Sequence, residues 1–496
     1  MSQAPSDSGL DSAAADLGTD ATVFDAAGTS DAADATPAMV PTGDASPPPT
    51  VTIAGNAADA GILGIQVAPL ALVPSFSPTV TDYYVRCAAS SNPITVRVVD
   101  SSGTQTTSLN VVPDQEISVW GQYWIRCLPP DFPPITVALP TADSGPTPGY
   151  YLVNNGTYAI VLDTNGTPVW YARGSSVENV DSLVPDTISY VPNNAGAFGI
   201  DASEHCESHD LDTLTTTDLY AVGSPTDGHE LRLLPNGDHL IFTYPVVNDV
   251  DLSTFGSFAT GLSAIVDCEV QEIDPSGNLV WSWFASQHIA FSESIEATKA
   301  TVNGTNLIDV YHCNSIDVDG AGNLLVSSRY ANAVFYIDRA TGTVLWKMGG
   351  TPSNKDGAQI IVVAGDPETT FDMQHDARFQ PDGGISVFDD HGRVPDSGLA
   401  RGVEYSVDFD ASTASVAFQF YGIATSNREG SFRRYPDGHS VIGWGYIATD
   451  PRVVTEVDSN GNDVLDIAFG GTESYRAVKV ALSELDAAVL RATTAR

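Results

Sequence analysis

The sequence predicts an all-β protein in which a six-bladed β-propeller follows a small β-sandwich and a disordered N-terminal linker. The 43 Gly and 31 Pro among 496 residues, only 17% of them charged, indicate many turns. Only the C-terminal segment ALSELDAAVLRATTAR has a helical pattern. Two strand–turn–strand patterns alternate along most of the chain, and a repeated four-stranded unit is typical of a propeller blade.

Residues 1–58 are predicted to form the linker. The first fifty residues hold eight Asp, no Lys or Arg, and mostly Ala, Ser, Thr, Gly and Pro, which cannot bury enough apolar surface to fold. We interpret them as the spacer that follows a secretion or lipoprotein signal. The start MSQAPSDSGL itself lacks a basic segment followed by an apolar one. The expected location is extracellular, periplasmic or on the cell surface.

Residues 59–140 are predicted to form the β-sandwich. Short alternating runs such as ITVRVVD and YWIRC are rich in β-branched and aromatic residues, as expected of strands. The stretch GILGIQVAPLALVPSFSPTVTDYYV resembles the cadherin-like β-sandwich modules of bacterial surface proteins. That resemblance rests on the spacing of its Leu, Pro, Phe, Ser and Tyr residues.

The five cysteines allow two disulfides and one unpaired thiol. Cys87 and Cys127 flank the predicted sandwich and would suit a disulfide in an oxidising compartment. Cys206 and Cys268 could form a second disulfide, with Cys313 as the odd cysteine, but the sequence leaves the connectivity open. The alternative is that all five are buried free thiols.

Residues 141–496 carry the repeat. One half has an Asp, a turn and an aromatic or apolar strand; it has five clear copies, at 162–172, 273–283, 337–348, 409–420 and 457–469, and a weaker one at 212–223. The other half is a strand, a turn and a strand, as in HELRLLPNGDHLIFTY and HDARFQPDGGISVFDD. Together they give about four strands per repeat and six blades. One or two long sandwiches, the alternative, would not require this register to recur.

Charge and hydropathy exclude several classes of partner. The net charge of −41 argues against nucleic acid and against anionic membrane surfaces, because both are bound through Lys and Arg. No run of eighteen apolar residues occurs, so no transmembrane helix is predicted.

Three histidines occupy one position of the repeat. His229 and His375 each stand six residues before the Pro of a Pro-x-Gly turn, and His312 fits if its turn is one residue longer. Equivalent positions in a propeller are related by rotation about the central axis. We therefore expect the three side chains to converge at the mouth of the central channel. The alternative is that each only hydrogen-bonds a neighbouring blade.

Three imidazoles could hold a metal ion or surround an anion. Ten of the 21 Lys and Arg fall between 329 and 434, and Arg329 follows the strand that comes after His312. A cation within the histidine cluster repels a metal ion and attracts an anion. The pattern therefore favours an anion site with no bound metal.

The segments YHCNSIDVDGAGNLLVSSRYANAVFYIDRATGTVLWKMGG (311–350) and QHDARFQPDGGISVFDD (374–390) resemble the arylsulfotransferase family. The resemblance implies a six-bladed propeller that uses no nucleotide donor and no cofactor. It implies transfer of a sulfuryl group from a phenolic sulfate ester to a phenol, by a ping-pong mechanism through a sulfated histidine. The expected partners are thus small phenolic sulfates and phenols, and a homodimer is left open.

The resemblance also implies roles for single residues. His375 matches the nucleophile of the family, and His229 and His312 match the histidines that bind sulfate and handle protons. Arg329 matches the sulfate-binding arginine. Three further residues are expected to bind substrate: Asn314 of the His-x-Asn motif, and the aromatic residues Tyr311 and Tyr330.

Two other functions remain open from the sequence. One is a non-catalytic cell-surface propeller that binds a ligand. The other is a metalloenzyme in which His229, His312 and His375 hold the ion.

Overall fold

The computed structural model describes residues 48–55, 61–141, 145–194, 196, 199–392, 398–470 and 473–494. Most of the predicted linker lies outside these residues. Its last part is an exception, because Val51–Ile53 forms strand β1 and pairs with a later strand. The β-branched run Val-Thr-Ile favours a strand despite its Pro-rich surroundings.

The described residues form an all-β protein with few helices. Its two α-helices are α1 (Ala285–His288) and α2 (Ala487–Thr493), and short 3₁₀ segments lie at Ser253–Ala259 and Phe291–Glu293. The C-terminal helix agrees with the predicted one, and the Asp486 side chain caps it by accepting from two backbone N–H groups. No helix in these ranges is long and apolar enough to cross a membrane.

The N-terminal strands form two sheets around one core. They are β1, β2 (Gly64–Ala68), β3 (Asp82–Arg86), β4 (Asn92–Asp100), β5 (Gly103–Val111), β6 (Glu116–Val119) and β7 (Tyr123–Leu128), and they are followed by β8 (Ile135–Ala138), which lies in neither sheet. One sheet has the order β1-β6-β7-β3 and the other β2-β4-β5. Val85, Val96 and Ile125 are fully buried between them. The expected disulfide between Cys87 and Cys127 is confirmed.

Most of the remaining described strands fall into six groups of four antiparallel strands, called here the first to the sixth sheet, although the fourth and fifth belong to one nine-stranded sheet. The first contains β9 (Tyr150–Asn155), β10 (Tyr158–Leu162) and β11 (Pro168–Arg173). The second contains β12 (Glu178–Asp181), β13 (Thr187–Val191), β14 (Cys206–Asp210) and β15 (Thr215–Leu219).

The third sheet is interrupted by an insertion. The strands of this region are β16 (Thr226–Leu233), β17 (His239–Thr243), β18 (Val246–Val247), β19 (Ile265–Val266), β20 (Glu269–Ile273), β21 (Leu279–Phe284), β22 (Thr298–Val302) and β23 (Thr305–Asp309). Strands β16, β17, β20 and β21 form the sheet, and the other four form a small sheet of their own.

The fourth and fifth sheets are joined by one strand. The strands here are β24 (Cys313–Val318), β25 (Leu324–Ser328), β26 (Ala333–Ile337), β27 (Val344–Gly349), β28 (Gln359–Val363), β29 (His375–Phe379), β30 (Ile385–Asp389), β31 (Arg401–Asp408) and β32 (Thr413–Tyr421). Strand β28 pairs in parallel with both β27 and β32, which links the two outer edges.

The sixth sheet contains β33 (Ser431–Arg434), β34 (Ser440–Gly443), β35 (Arg452–Val457) and β36 (Asp463–Phe469). Strand β8 of the N-terminal region pairs with β36 as a fifth strand. The last strand, β37 (Ala477–Val480), pairs with β9 and completes the first sheet. One edge strand of each sheet contacts that of the next, in the order β12, β16, β24, β29, β33 and β37, and β37 contacts β12.

Local turn chemistry explains why the repeats fold in this way. The repeated Asp of the outer hairpins accepts hydrogen bonds from backbone N–H groups two to four residues later, as Asp163, Asp274 and Asp458 do. In the inner hairpins, Gly237 and Gly383 adopt φ of 91° and 90°, which favours glycine. The predicted repeat halves are thus the inner and outer hairpins of the sheets.

The second disulfide differs from the prediction. Cys268 pairs with Cys313, and Cys206 is a buried free thiol. Cys206 lies in the second sheet and packs against apolar residues such as Leu231 and Ile241. The suggested pairing of Cys206 with Cys268 is therefore wrong. Sequence spacing does not reveal that Cys268 and Cys313 meet between the third and fourth sheets.

Candidate active site

The structure brings the three histidines together at or near the starts of strands β16, β24 and β29. His229 lies in β16, His312 directly precedes β24, and His375 is the first residue of β29. The ring centroids of His229 and His312 are 5.1 Å apart and nearly perpendicular. His375 is close enough to both imidazoles for their charges to lower its pKa. All three side chains are largely buried.

A carboxylate fixes the orientation of each ring. The Nδ1 atoms lie 2.6–2.7 Å from carboxylate oxygens in three pairs: His229 with Asp227, His312 with Asp309, and His375 with Asp390. A carboxylate accepts hydrogen bonds, so Nδ1 is the donor in each pair and carries a proton.

His375 has the features of a neutral nucleophile. The backbone N–H of Glu429 donates to Nε2 over 3.3 Å, so that atom bears the lone pair. Burial, followed by the charges of Arg329, His229 and His312, lowers the pKa of His375 well below its ordinary value. The imidazole is therefore unprotonated at neutral pH. Burial raises the pKa of Asp390, and Arg329 is the first group that opposes this rise.

The pKa values of the other two histidines are shifted in opposite directions. Burial lowers the pKa of His229, but the charge of Asp227 and its hydrogen bond outweigh burial, so the net pKa is raised. Burial lowers the pKa of His312, and Asp309 offsets this only in part. The site thus pairs a proton donor with a proton acceptor.

Arg329 supplies the fixed positive charge. Its Nη2 donates to the backbone carbonyl of Asn427 over 2.8 Å, and its backbone N–H donates to the carbonyl of His312 over 3.0 Å. Its Nε atom is buried without a hydrogen-bond partner among the described residues. A buried donor of this kind is satisfied by an anionic oxygen.

The residues expected to bind substrate lie in different environments. Asn314 is fully buried, and its Nδ2 donates to the carbonyl of Gln374 over 2.7 Å, next to His375. The ring centroid of Tyr330 is 4.9 Å from that of His312. Tyr311 is fully buried, and its hydroxyl donates to the carbonyl of Ile289. The structure therefore places Tyr311 in the hydrophobic core.

Several residues of the site escaped the sequence analysis. The three carboxylate partners are among them, although Asp227 and Asp309 lie only two and three residues before their histidines. Burial and the negative charge of Glu429 raise the pKa of Glu178 to about 8. Burial and the negative charge of Glu473 raise the pKa of Glu429 to about 7. Both carboxyl groups are near enough to His229 for its charge to lower their pKa.

A buried ionic network includes the residues that directly follow His229 and His375 in the sequence. Glu230 accepts from Arg378 over 2.7 Å and from Arg476 over 3.0 Å. Asp376 pairs with Arg378 over 2.7 Å and with Arg433 over 3.1 Å. Arg433 also reaches Asp181 on β12, over 3.1 Å. The network therefore ties the strands that position the site.

The distances between possible ligand atoms bear on whether the three histidines could hold a metal ion. Over the described ranges, three or more ligand atoms of His, Cys, Asp or Glu come within 4.8 Å of one another in one group: His205, Glu207 and Asp218. His229, His312 and His375 do not form such a group.

A model of the arylsulfotransferase (ASST) family matches residues 202–470, more than half of the chain. The chain belongs to the arylsulfotransferase family. The three histidines, Arg329 and Asn314 all lie within the matched range. Membership implies a transferase, in agreement with the resemblance noted from the sequence. No curated protein matches the chain.

Solved structures resemble the chain only distantly. Virginiamycin B lyase from Staphylococcus aureus is 10% identical with a TM-score of 0.34, and the match covers 69% of this chain and 89% of the lyase. A putative 6-phosphogluconolactonase from Bacteroides fragilis is 11% identical with a TM-score of 0.35, over 68% and 100% of the two chains. Hydrazine synthase from Kuenenia stuttgartiensis is 10% identical with a TM-score of 0.36, over 76% and 96%.

Proposed function

We propose that the protein transfers a sulfuryl group from a phenolic sulfate ester to a phenolic acceptor, without a nucleotide donor, through a sulfohistidine at His375. The observation that carries this proposal is the state of His375. Its Nδ1 is held by Asp390, the lone pair of its Nε2 accepts only a long hydrogen bond of 3.3 Å from the backbone N–H of Glu429, and the charge of Arg329, whose Nε has no hydrogen-bond partner among the described residues, lowers its pKa. A neutral imidazole so oriented can attack sulfur and split one difficult transfer into two easier ones.

In the first half-reaction, Nε2 of His375 forms a bond to sulfur and the bond from sulfur to the aryl oxygen breaks. The aryl oxygen leaves with the electron pair and takes a proton from His229, whose raised pKa favours the protonated ring. The guanidinium of Arg329 and the backbone N–H of Glu429 stabilise negative charge on the sulfuryl oxygens.

In the second half-reaction, the oxygen of the acceptor phenol forms a bond to sulfur and the bond from sulfur to Nε2 breaks. The phenol proton passes to His312, whose lowered pKa leaves it unprotonated and able to accept. The proton then returns to His229, whose ring centroid is 5.1 Å from that of His312, and the acid is restored for the next turnover. Tyr330, whose ring is tilted by 35° against that of His312, contacts the aryl group. Asn314 acts as a positioning residue, because its amide holds the carbonyl of the residue before His375.

We propose that the six sheets are the blades of a six-bladed propeller. The closed series of contacts between one edge strand of each sheet supports this proposal. The two N-terminal sheets around their own core support the β-sandwich, at about residues 59–140, with β8 extending it to the last blade. Two disulfides support an oxidising compartment outside the cytoplasm.

The proposal is tested by mixing the protein with 4-nitrophenyl sulfate and no phenol. We expect a burst of nitrophenolate equal in amount to the protein, and the mass of one SO₃ group on the peptide that contains His375. Added phenol should then produce turnover and phenyl sulfate. Turnover without a modified peptide would exclude the sulfohistidine, and no release with any phenolic sulfate would indicate a non-catalytic ligand-binding protein.

We predict a bell-shaped pH dependence for the burst. As pH falls, His375 stays neutral until its lowered pKa is reached, so the acidic limb lies below the ordinary histidine value. As pH rises through the raised pKa of His229, the acid is lost and the rate falls. His229→Gln should abolish the alkaline limb while the acidic limb remains. An unchanged alkaline limb in this variant would assign the proton to another group.

We predict that Asp390→Asn lowers kcat about a hundredfold with little change in KM, because the wrong ring orientation or tautomer of His375 impairs attack and not binding. Burst rates of this variant and of Asp356→Asn, which alters the remote pair with His288, provide the comparison. A rise in KM with unchanged kcat would show that Asp390 serves binding instead.

A further inference from the structure

The second sheet carries a group of titratable side chains outside the central site. Strands β14 and β15 pair so that Glu207 lies directly opposite Asp218. Alternate residues point to the same face of a strand, so His205 and His209 share the face of Glu207. His205, Glu207 and His209 are largely buried, and Asp218 is half exposed.

A backbone carbonyl of a neighbouring residue sets the tautomer of His205. Its Nδ1 lies 2.8 Å from the carbonyl oxygen of Ser203, which can only accept, so Nδ1 carries the proton. In the neutral ring, the lone pair of Nε2 then faces two carboxylates. The distances are 3.5 Å to Glu207 Oε1 and 4.0 Å to Asp218 Oδ1.

Three electron-rich atoms that face one another favour a cation between them. Like charges directly opposite each other on paired strands are destabilising. Two ligand atoms on one tetrahedral zinc ion, each at about 2.0–2.2 Å, are separated by roughly 3.3–3.6 Å. The separations around His205 are of this order and exceed a hydrogen bond. By contrast, His209 Nε2 lies 2.7 Å from Glu207 Oε2, as an ordinary hydrogen bond does.

We propose that Nε2 of His205 and the carboxylates of Glu207 and Asp218 bind a divalent transition-metal ion of the zinc type, with water completing its coordination. The carbonyl of Ser203 orients the histidine, and His209 holds the second oxygen of Glu207. Because Asp218 comes from the neighbouring strand, the ion joins β14 to β15. The site is separate from the central histidines and serves the stability of the second sheet.

The test is calorimetric titration of Zn²⁺ into tag-free, full-length protein that has been dialysed against a chelator. We expect one saturable site that His205→Gln and Asp218→Asn each weaken at least about tenfold. His288→Gln, which alters a histidine elsewhere, should bind as the wild type does. Zinc should raise the Tm of the wild type and of His288→Gln but not of the two site variants.

If His205→Gln fails to fold, Asp218→Asn still tests the proposal. The Asp218 side chain is half exposed, so its substitution should leave the fold intact. A Co²⁺-substituted wild type should show the absorption of a low-symmetry cobalt site, and the Asp218→Asn variant should lose it. Wild-type affinity in either site variant would overturn the proposal, as would the absence of saturable binding. So would zinc binding that His375→Asn abolishes and His205→Gln retains, because the ion would then lie in the central site.

Discussion

Replacing His375 by Asn is expected to lower kcat/KM for sulfuryl transfer by at least about 10⁴-fold, which corresponds to ~5.5 kcal/mol of transition-state stabilisation. Asn approximates the size of the ring and can still accept from the backbone N–H of Glu429, but its amide is not a nucleophile. The loss should fall on kcat, because the groups that bind the sulfate remain. Both the burst and the sulfated peptide should disappear.

The matched control is His288→Asn, which alters another partly buried histidine hydrogen-bonded to an aspartate. It should retain nearly all activity. Steady-state rates with 4-nitrophenyl sulfate and phenol, and circular dichroism spectra of both variants, complete the measurement. If His375→Asn kept more than about a hundredth of the wild-type rate, direct attack by the acceptor phenol would replace the ping-pong mechanism.

Replacing Glu230 by Gln is expected to lower the free energy of unfolding by about 3–5 kcal/mol. The Glu230 carboxylate accepts from Arg378 and Arg476 in a fully buried position, and from the backbone N–H of Ile316. Its removal leaves the buried guanidinium groups of Arg378 and Arg476 with one shared anion, Asp376, where the wild type has two. Urea unfolding of the wild type and the variant measures the difference.

Asp131→Asn is the matched control for this variant. Its carboxylate pairs with Arg173 over 2.7 Å, but both side chains are about half exposed. We expect a loss below about 1 kcal/mol, because water screens the pair. Equal effects of the two substitutions would show that the network contributes no more than a surface ion pair.

The same network predicts a dependence of stability on pH. Burial alone would raise the pKa of Glu230, but Arg378, Arg476 and Arg232 together lower it below its ordinary value. A depressed carboxyl pKa stabilises the fold above the unfolded-state pKa, and this contribution is lost as pH falls through the folded-state pKa. The wild type should therefore lose more stability on acidification than Glu230→Gln does.

The hairpins were predictable from the sequence because their causes are local. Asp163 and Asp274 make the same turn from the same few residues, and the alternating strands on either side have one buried face. The shared position of the histidines follows from the same register. A family resemblance was needed to assign the chemistry, since a histidine at a strand entry does not by itself name a reaction.

Features that depend on distant contacts were missed. Asp390 follows the partner strand of β29, so no spacing within one hairpin half indicates that it would hold His375. Cys268 and Cys313 meet across two sheets. Tyr311 is next to a site histidine in the sequence, but the backbone at His312, with φ of 47°, leads the two side chains to different environments.

The strand that completes the first sheet has a consequence for biosynthesis. Strand β9 pairs with β37, which lies more than three hundred residues later, and Arg476 of the ionic network directly precedes β37. A nascent chain therefore cannot close its first sheet, or add Arg476 to the ionic network, until β37 has left the ribosome. A chain truncated before β37 is expected to lack the closed first sheet and, with it, activity.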